Sequence, residues 1–234
     1  MCGRYSLTAP DPAQLRARFA VAESVAVEPH YNIAPGTDVL AVTTDREGRP
    51  RGEQLRWGLV PTWAKDTRVG FKMINARAET LAERPAYRTA FERFRCLIPA
   101  DGFYEWQPIP GEGRKQPFHI TRSDGELFAF AGLWSVWHRG APEELRSCTI
   151  ITTAANSAVA PIHDRMPVIL PREAEALWLA HDAPPAELQE LLHGLGPAQL
   201  AVRAVGPAVN DARYDGPECL LDPPPPVQES LFAQ

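Results

Sequence analysis

Residues 95–107 read RCLIPADGFYEWQ, and this stretch decides the class of fold. Leu97, Ile98, Phe103, Tyr104 and Trp106 suit a pleated, half-buried surface, so the run predicts a strand. Seven further runs have the same character: TDVLAVTT (37–44), EQLRWGLV (53–60), QPFHITR (116–122), LFAFAGLWSVW (127–137), SCTIITTA (147–154), MPVILP (166–171) and QLAVRAV (199–205). The connections GEGRK, RSDGE and HRGAPEE are short and polar, as hairpins and antiparallel pairing require. Helices are predicted over 11–21, with Asp11 as its cap, and over 84–94, 172–180 and 185–194. The fold class expected is α+β: a single domain over residues 1–220, on a largely antiparallel, barrel-like sheet with peripheral helices. The proline run 223–226 and the residues after it predict an extended tail over 221–234.

The 234 residues are 44% hydrophobic and 23% charged, which matches a soluble globular chain. No apolar run of membrane-spanning length and no secretory leader is present, so no membrane association is expected. Cys2, Cys96, Cys148 and Cys219 are far apart and lack a C-x-x-C pair or histidines at ligand spacing. This predicts a reducing cytoplasm, no disulfides, no metal and no cofactor, with Cys96 and Cys148 buried and inert. The net charge of −5 is unevenly spread. Residues 1–100 hold 15 Lys and Arg against 11 Asp and Glu, whereas residues 101–234 hold 9 against 18. Lys65, Arg68, Lys72, Arg77, Arg84, Arg88, Arg93 and Arg95 form a basic cluster that fits a phosphate backbone or, equally, a solvated helix face.

The chain opens MCGRYSL. Removal of Met1 leaves Cys2 with a free amine of pKa about 7.7–8.0 beside a thiol of pKa about 8.5. Four other stretches join unusual residue types to turn signals: YNIAPG (31–36), MINARAE (73–79), DGFYEW (101–106) and IHDRMP (162–167). Each has an ordinary explanation. Cys2 fits a tolerant terminus, Asn75 a helix cap, Glu105 the outward side of a strand and His163 a satisfied turn. Glu105 nevertheless stands among Phe103, Tyr104 and Trp106, and a carboxylate desolvated by aromatics has a raised pKa suited to proton transfer. Together the stretches supply a nucleophile, an amine, a carboxylate, an imidazole and an orienting amide.

The motifs M-C-G-R-Y, Y-N-I-A-P-G, R-W-G-L-V-P-x-W, N-A-R-A-E-T, C-L-I-P-A-D-G-F-Y-E-W and H-x-R-M-P, spanning residues 2–220 in this order, resemble the SOS-response-associated peptidase (SRAP) family. The resemblance implies a covalent cross-link between an N-terminal cysteine and abasic sites in single-stranded DNA. It makes Cys2 the nucleophile, with Asn75, Glu105 and His163 in support. It also implies a DNA groove lined by Arg4, Arg77 and Arg165, with Asn32, Pro35, Trp63 and Trp106 near the nucleotides. The expected setting is that of a cytoplasmic, nucleoid-associated monomer.

The chemistry of a 1,2-aminothiol is consistent with this. Its amine condenses with the aldehyde of the ring-opened abasic sugar, and its thiol closes a thiazolidine on the same carbon. Two other functions use the same residues differently: an N-terminal-nucleophile thiol autopeptidase or amidohydrolase, and a noncovalent single-strand-binding module. In the tail, Gln228, Leu231 and Phe232 form Q-x-x-L-F, the spacing of peptides that dock on the bacterial sliding clamp.

Overall fold

Asp101 divides the stretch from 95 to 107 into two strands, Arg95–Ala100 and Gly102–Pro108, which belong to different sheets. The single strand expected there is therefore corrected. The run of strand-forming residue types continues through the corner, so composition alone hides it. The structure is a computed structural model and covers residues 2–8, 11–19 and 28–225, leaving out the side chain of Pro12. In chain order the strands are β1 (Tyr5–Leu7), β2 (His30–Ile33), β3 (Asp38–Thr44), β4 (Pro50–Trp57), β5 (Asn75–Arg77), β6 (Arg95–Ala100) and β7 (Gly102–Pro108). They continue as β8 (Lys115–Arg122), β9 (Phe128–Trp137), β10 (Leu145–Ala154), β11 (Arg165–Pro167), β12 (Ile169–Leu170) and β13 (Leu200–Ala204). The helices are α1 (Pro12–Phe19), α2 (Pro85–Arg93), α3 (Glu175–Leu179) and α4 (Pro185–Glu190).

Five strands close a barrel in the order β10-β4-β3-β6-β9, with β9 returning to β10. Four of its seams are antiparallel and the fifth, β10 with β4 through Ser147↔Arg56 and Cys148↔Trp57, is parallel. The short β5 adds to β10, also in parallel, through Ile151↔Ala76. The barrel-like, largely antiparallel sheet expected from the sequence is thus present. The second sheet, β13-β8-β7-β1-β2, is antiparallel throughout. Its β1 and β2 were not expected. Turn signals in YNIAPG obscure β2, so Asn32 lies in a strand and only Pro35 and Gly36 form the turn.

One face of the second sheet packs on the barrel. Tyr5 meets Trp57 and Phe130 edge-on at ring separations of 5.4 and 5.6 Å, and Phe103 meets Phe130 at 6.3 Å. The opposite face carries Tyr104, which joins Val205, Val209 and Cys219 in a smaller core beneath the C-terminal segment. Cys96 and Cys148 are fully buried, as expected, and so are Cys2 and Cys219. Arg95 leaves the basic cluster altogether. It is buried and donates to the carbonyls of Phe91, Glu92, Trp178 and Ala180, satisfying the ends of α2 and α3. Arg84, at the N-cap of α2, and Arg88 and Arg93 within it remain exposed. Between β4 and β5 the backbones of Gly58 and Gly70 meet so closely that a Cβ on Gly58, at φ +131°, would lie 2.8 Å from the Gly70 oxygen. This pinch presents the intervening loop with Trp63 64% exposed.

Candidate active site

The N-terminal segment is held from both sides before it reaches Cys2. Asp101, at the corner between the two sheets, accepts the Ser6 hydroxyl at 2.6 Å, the Thr8 hydroxyl at 2.7 Å and the Thr8 amide at 2.5 Å. Its own amide donates to the Ser6 carbonyl at 3.0 Å. The Ser6 hydroxyl also lies 2.9 Å from Nε2 of His119, whose pKa burial pushes down to about 4, so this imidazole is neutral near pH 7. A Cβ on Gly102 would fall 2.0 Å from His119 Nε2, so only glycine leaves room for the ring. Chain ends normally fray; this buried latch fixes where the end of β1 points.

From there the chain runs to Cys2, whose carbonyl accepts a 2.8 Å hydrogen bond from Asn75 Nδ2. Asn75 opens β5, and its carbonyl in turn accepts from the Tyr87 hydroxyl at 3.2 Å. The other side-chain atom of Asn75, Oδ1, is buried with no hydrogen-bond partner among the described residues. The helix-cap alternative for Asn75 is set aside by its strand geometry. The Cys2 thiol faces the Arg4 carbonyl at 3.9 Å. Burial, and after it the charge of Glu105, raises its pKa, so the thiol is protonated at rest.

Glu105 lies in β7 with Phe103 and Gln107 on its side of the sheet, because alternate residues share a face. It is 2% exposed. Burial pushes its carboxyl up to about 7, against the opposing pull of the positive amino terminus. Gln107 donates to the Pro161 carbonyl at 2.8 Å and so ties this end of β7 to the turn bearing His163. Burial pushes the His163 pKa down, the amino terminus adds to this, and Asp164 opposes it. The Arg165 amide donates to His163 Nδ1 at 3.0 Å, which leaves the ring proton on Nε2. That neutral tautomer takes precedence over an ion pair with the exposed Asp164, 2.9 Å away. Asn75 is joined to Cys2 by a hydrogen bond, Glu105 acts on the Cys2 thiol through its charge, and the Gln107 tie fixes the turn bearing His163 to the strand that carries Glu105. A buried carboxyl titrating near neutrality beside a thiol and an amine can carry protons in a carbonyl condensation.

The residues expected along DNA divide into two sets. Arg77 is exposed, two residues beyond Asn75 on the same side of β5. Pro35 is half-buried in its turn. Trp63 lines a separate cleft of about 160 Å³ with Pro85, Phe94, Trp134 and Arg139. The others are engaged within the protein. Arg4 donates to Asn32 Oδ1 at 2.8 Å and to the Val209 carbonyl at 2.9 Å, and its guanidinium lies 5.6 Å from the Trp106 ring centre. Asn32, 3% exposed, donates to the carbonyls of Asp211 and Tyr214 at 3.0 and 2.6 Å. Trp106 donates to Asn210 at 2.7 Å and packs with Tyr104 on the face opposite Glu105. Arg165 grips Glu79 with two bonds of 2.6 and 2.9 Å and donates to the Thr152 carbonyl at 2.7 Å. Asp101, Ser6 and Tyr87 escaped notice in the sequence; only the D-G step at the corner marked Asp101. Among the described residues no group of three or more His, Cys, Asp or Glu could hold a metal ion, and no helix is long and apolar enough to cross a membrane. Gln228, Leu231 and Phe232 lie outside the described residues.

Known proteins resemble the chain along its length. The family model described as SOS response associated peptidase (SRAP) matches residues 1–212, and the chain belongs to that family. The abasic site processing protein YoqW of Bacillus subtilis (strain 168) is 40% identical over 224 residues, covering 94% of this chain and 99% of its own. The abasic site processing protein YedK of Escherichia coli (strain K12) is 33% identical over 230 residues, with the same coverages. A crystal structure of a protein from Bacteroides thetaiotaomicron superposes with a TM-score of 0.84 at 25% identity, over 94% of this chain and 99% of the other.

Proposed function

We propose, taking SRAP membership as the premise, that the chain processes abasic sites in single-stranded DNA by a covalent cross-link to Cys2. The link is a thiazolidine, and it shields the site from strand cleavage during repair that accompanies replication. The hydrogen bond from Asn75 to the Cys2 carbonyl, beside a glutamate that titrates near neutrality, carries this reading. The names of YoqW and YedK support the substrate.

Once Met1 is removed, the Cys2 amine attacks C1′ of the open-chain sugar and gives a carbinolamine. Glu105 in its acid form protonates the departing hydroxyl, which leaves as water, and an imine remains. The Cys2 sulfur then adds to the same carbon and its proton passes to the nitrogen, closing the five-membered ring. Burial keeps the thiol protonated at rest, which suits a sequence in which the amine reacts first. His163 assists opening of the sugar ring. Asn75 Oδ1, buried and without a partner among the described residues, accepts a sugar hydroxyl. Arg77 binds phosphate.

The test is incubation with an oligonucleotide holding one abasic site, followed by denaturing electrophoresis. The wild type leaves a stable adduct, whereas Cys2→Ser leaves one only after borohydride reduction. An equally stable adduct from Cys2→Ser without reduction would exclude ring closure. The word peptidase in the family description favours a second reading, thiol autopeptidase chemistry at the same terminus. Cleavage of a peptide with no DNA adduct would select it. The tail is proposed to dock on the sliding clamp through Gln228, Leu231 and Phe232. A peptide of residues 222–234 binds a bacterial clamp on this view, and Leu231→Ala and Phe232→Ala abolish binding.

A further inference from the structure

Two of the three arginines expected to hold phosphate, Arg4 and Arg165, are committed to partners inside the protein. Glu105 and Trp106 face opposite sides of one sheet. A strand that reacts at Glu105 and reaches the cavity beside Trp106 must therefore cross the rim of that sheet, and a cation should stand where it crosses. Lys115 is at that rim. It opens β8 directly across from Pro108, three residues beyond Glu105 on β7. It is exposed and makes no ion pair among the described residues. After burial, which dominates, the Lys115 ammonium exerts a small lowering influence on the pKa values of Glu105 and His163. Lys115 also lines a cavity of about 520 Å³ with Trp106, Arg114, Gln116 and Asn210. Its neighbour Arg114 is paired with Glu112 at 2.5 Å in the hairpin, which leaves Lys115 as the principal cation of the cavity.

We propose that Lys115 binds the phosphate of a nucleotide flanking the abasic site and leads the strand over the sheet rim into the cavity beside Trp106. The ligand class is a single-stranded nucleic acid backbone. A flexible ammonium with three donors suits a phosphate that must be held while the sugar beside it opens and turns. The inference rests on the proposed DNA function and adds a binding residue and a path to it.

The test measures binding of a single-stranded oligonucleotide across a salt series for wild type, Lys115→Ala, Lys115→Glu and Arg49→Ala. Arg49 is exposed at the β3–β4 turn of the barrel, outside this cavity, and serves as control. Lys115→Ala is expected to lower the slope of log K against log salt by about 0.7, the value of one single-strand phosphate contact. Lys115→Glu weakens binding further, and Arg49→Ala changes neither quantity. A wild-type slope in Lys115→Ala, or an equal loss in Arg49→Ala, overturns the assignment of Lys115 while the wild type still forms the adduct. A wild type that neither binds the oligonucleotide nor forms an adduct overturns the function itself, and Lys115 with it.

Discussion

The barrel and the five-stranded sheet beside it bury side chains for different ends. Inside the barrel the large buried groups are apolar and close-packed, with Phe128, Phe130, Leu97, Ile98 and Ile150 fully or almost fully hidden, and apart from Arg95 the polar residues its strands bury are the small hydroxyls of Thr43, Ser135, Ser147, Thr149 and Thr152. Its two cysteines, Cys96 and Cys148, have pKa values raised by burial and no reactive partner. The second sheet buries Ser6, Asn32, Glu105 and His119. Its neighbouring cysteine, Cys2, is as hidden as the other two but stands at the chain end beside Glu105. Burial in an apolar environment stabilises; burial of polar groups in a hydrogen-bonded frame costs stability and yields shifted pKa values. The first region carries most of the fold; the second carries Glu105 and the N-terminal segment, to which the barrel adds Asn75 from β5.

The sharpest way to break this division is to remove a large side chain from the barrel. Leu97→Ala, in β6 between Val42 and Ala131, is expected to cost about 2–5 kcal/mol of stability, read as a lower denaturation midpoint, while the adduct rate per folded molecule stays near wild type. A selective loss of rate would mean that the barrel takes part in the chemistry.

Glu105→Gln should act in the opposite sense. A glutamate whose folded pKa lies near 7 and whose unfolded pKa is about 4.3 favours folding fully only below pH 4, and this contribution is lost as pH rises through 7. The amide is therefore expected to be more stable than wild type by about 3–4 kcal/mol at pH 8 and no more stable at pH 4, while forming the adduct many times more slowly. Thermal melts at the two pH values, paired with adduct rates, check both halves. Equal melting differences at both pH values would remove the buried ionisation from the account.

Asp101→Asn loosens the latch. Loss of charge-assisted bonds to Ser6 and Thr8 is expected to cost about 1–3 kcal/mol and to slow adduct formation with little change in the salt slope of DNA binding. A change of slope without a change of rate would show Asp101 to act on DNA rather than on the N-terminal segment. The smallest effect belongs to Cys148→Ala. It is expected to cost about 1 kcal/mol and to leave the adduct yield unchanged, since Cys148 packs in the barrel wall.

The same division governs how much was legible in the sequence. The barrel strands announced themselves because β-branched and aromatic residues recur through β3, β9 and β10. The parallel seam between β10 and β4 did not, because strand direction is settled by the path of the chain and not by residue type. Strands of three residues, β1 and β5, are too short for alternation to register. In the site, Cys2, Asn75, Glu105 and His163 stood out because their chemistry is unusual for their surroundings. The internal partners of Arg4 and Arg165 are not legible in the sequence, because an arginine paired with Asn32 or Glu79 reads the same as one facing solvent. Lys115 went unnoticed for the converse reason, since a lysine at a hairpin resembles any surface lysine.

The central claim is that the mature cysteine terminus closes a ring on the abasic sugar, and intact mass spectrometry tests it most directly. After exposure to an abasic oligonucleotide and denaturation without reductant, the account predicts one species. Its mass is that of the chain lacking Met1 plus the oligonucleotide less one water, and it is absent when Met1 is retained behind an N-terminal tag. An adduct of equal yield on the tagged protein, or mature protein that stays unmodified while the oligonucleotide is cleaved, would contradict it.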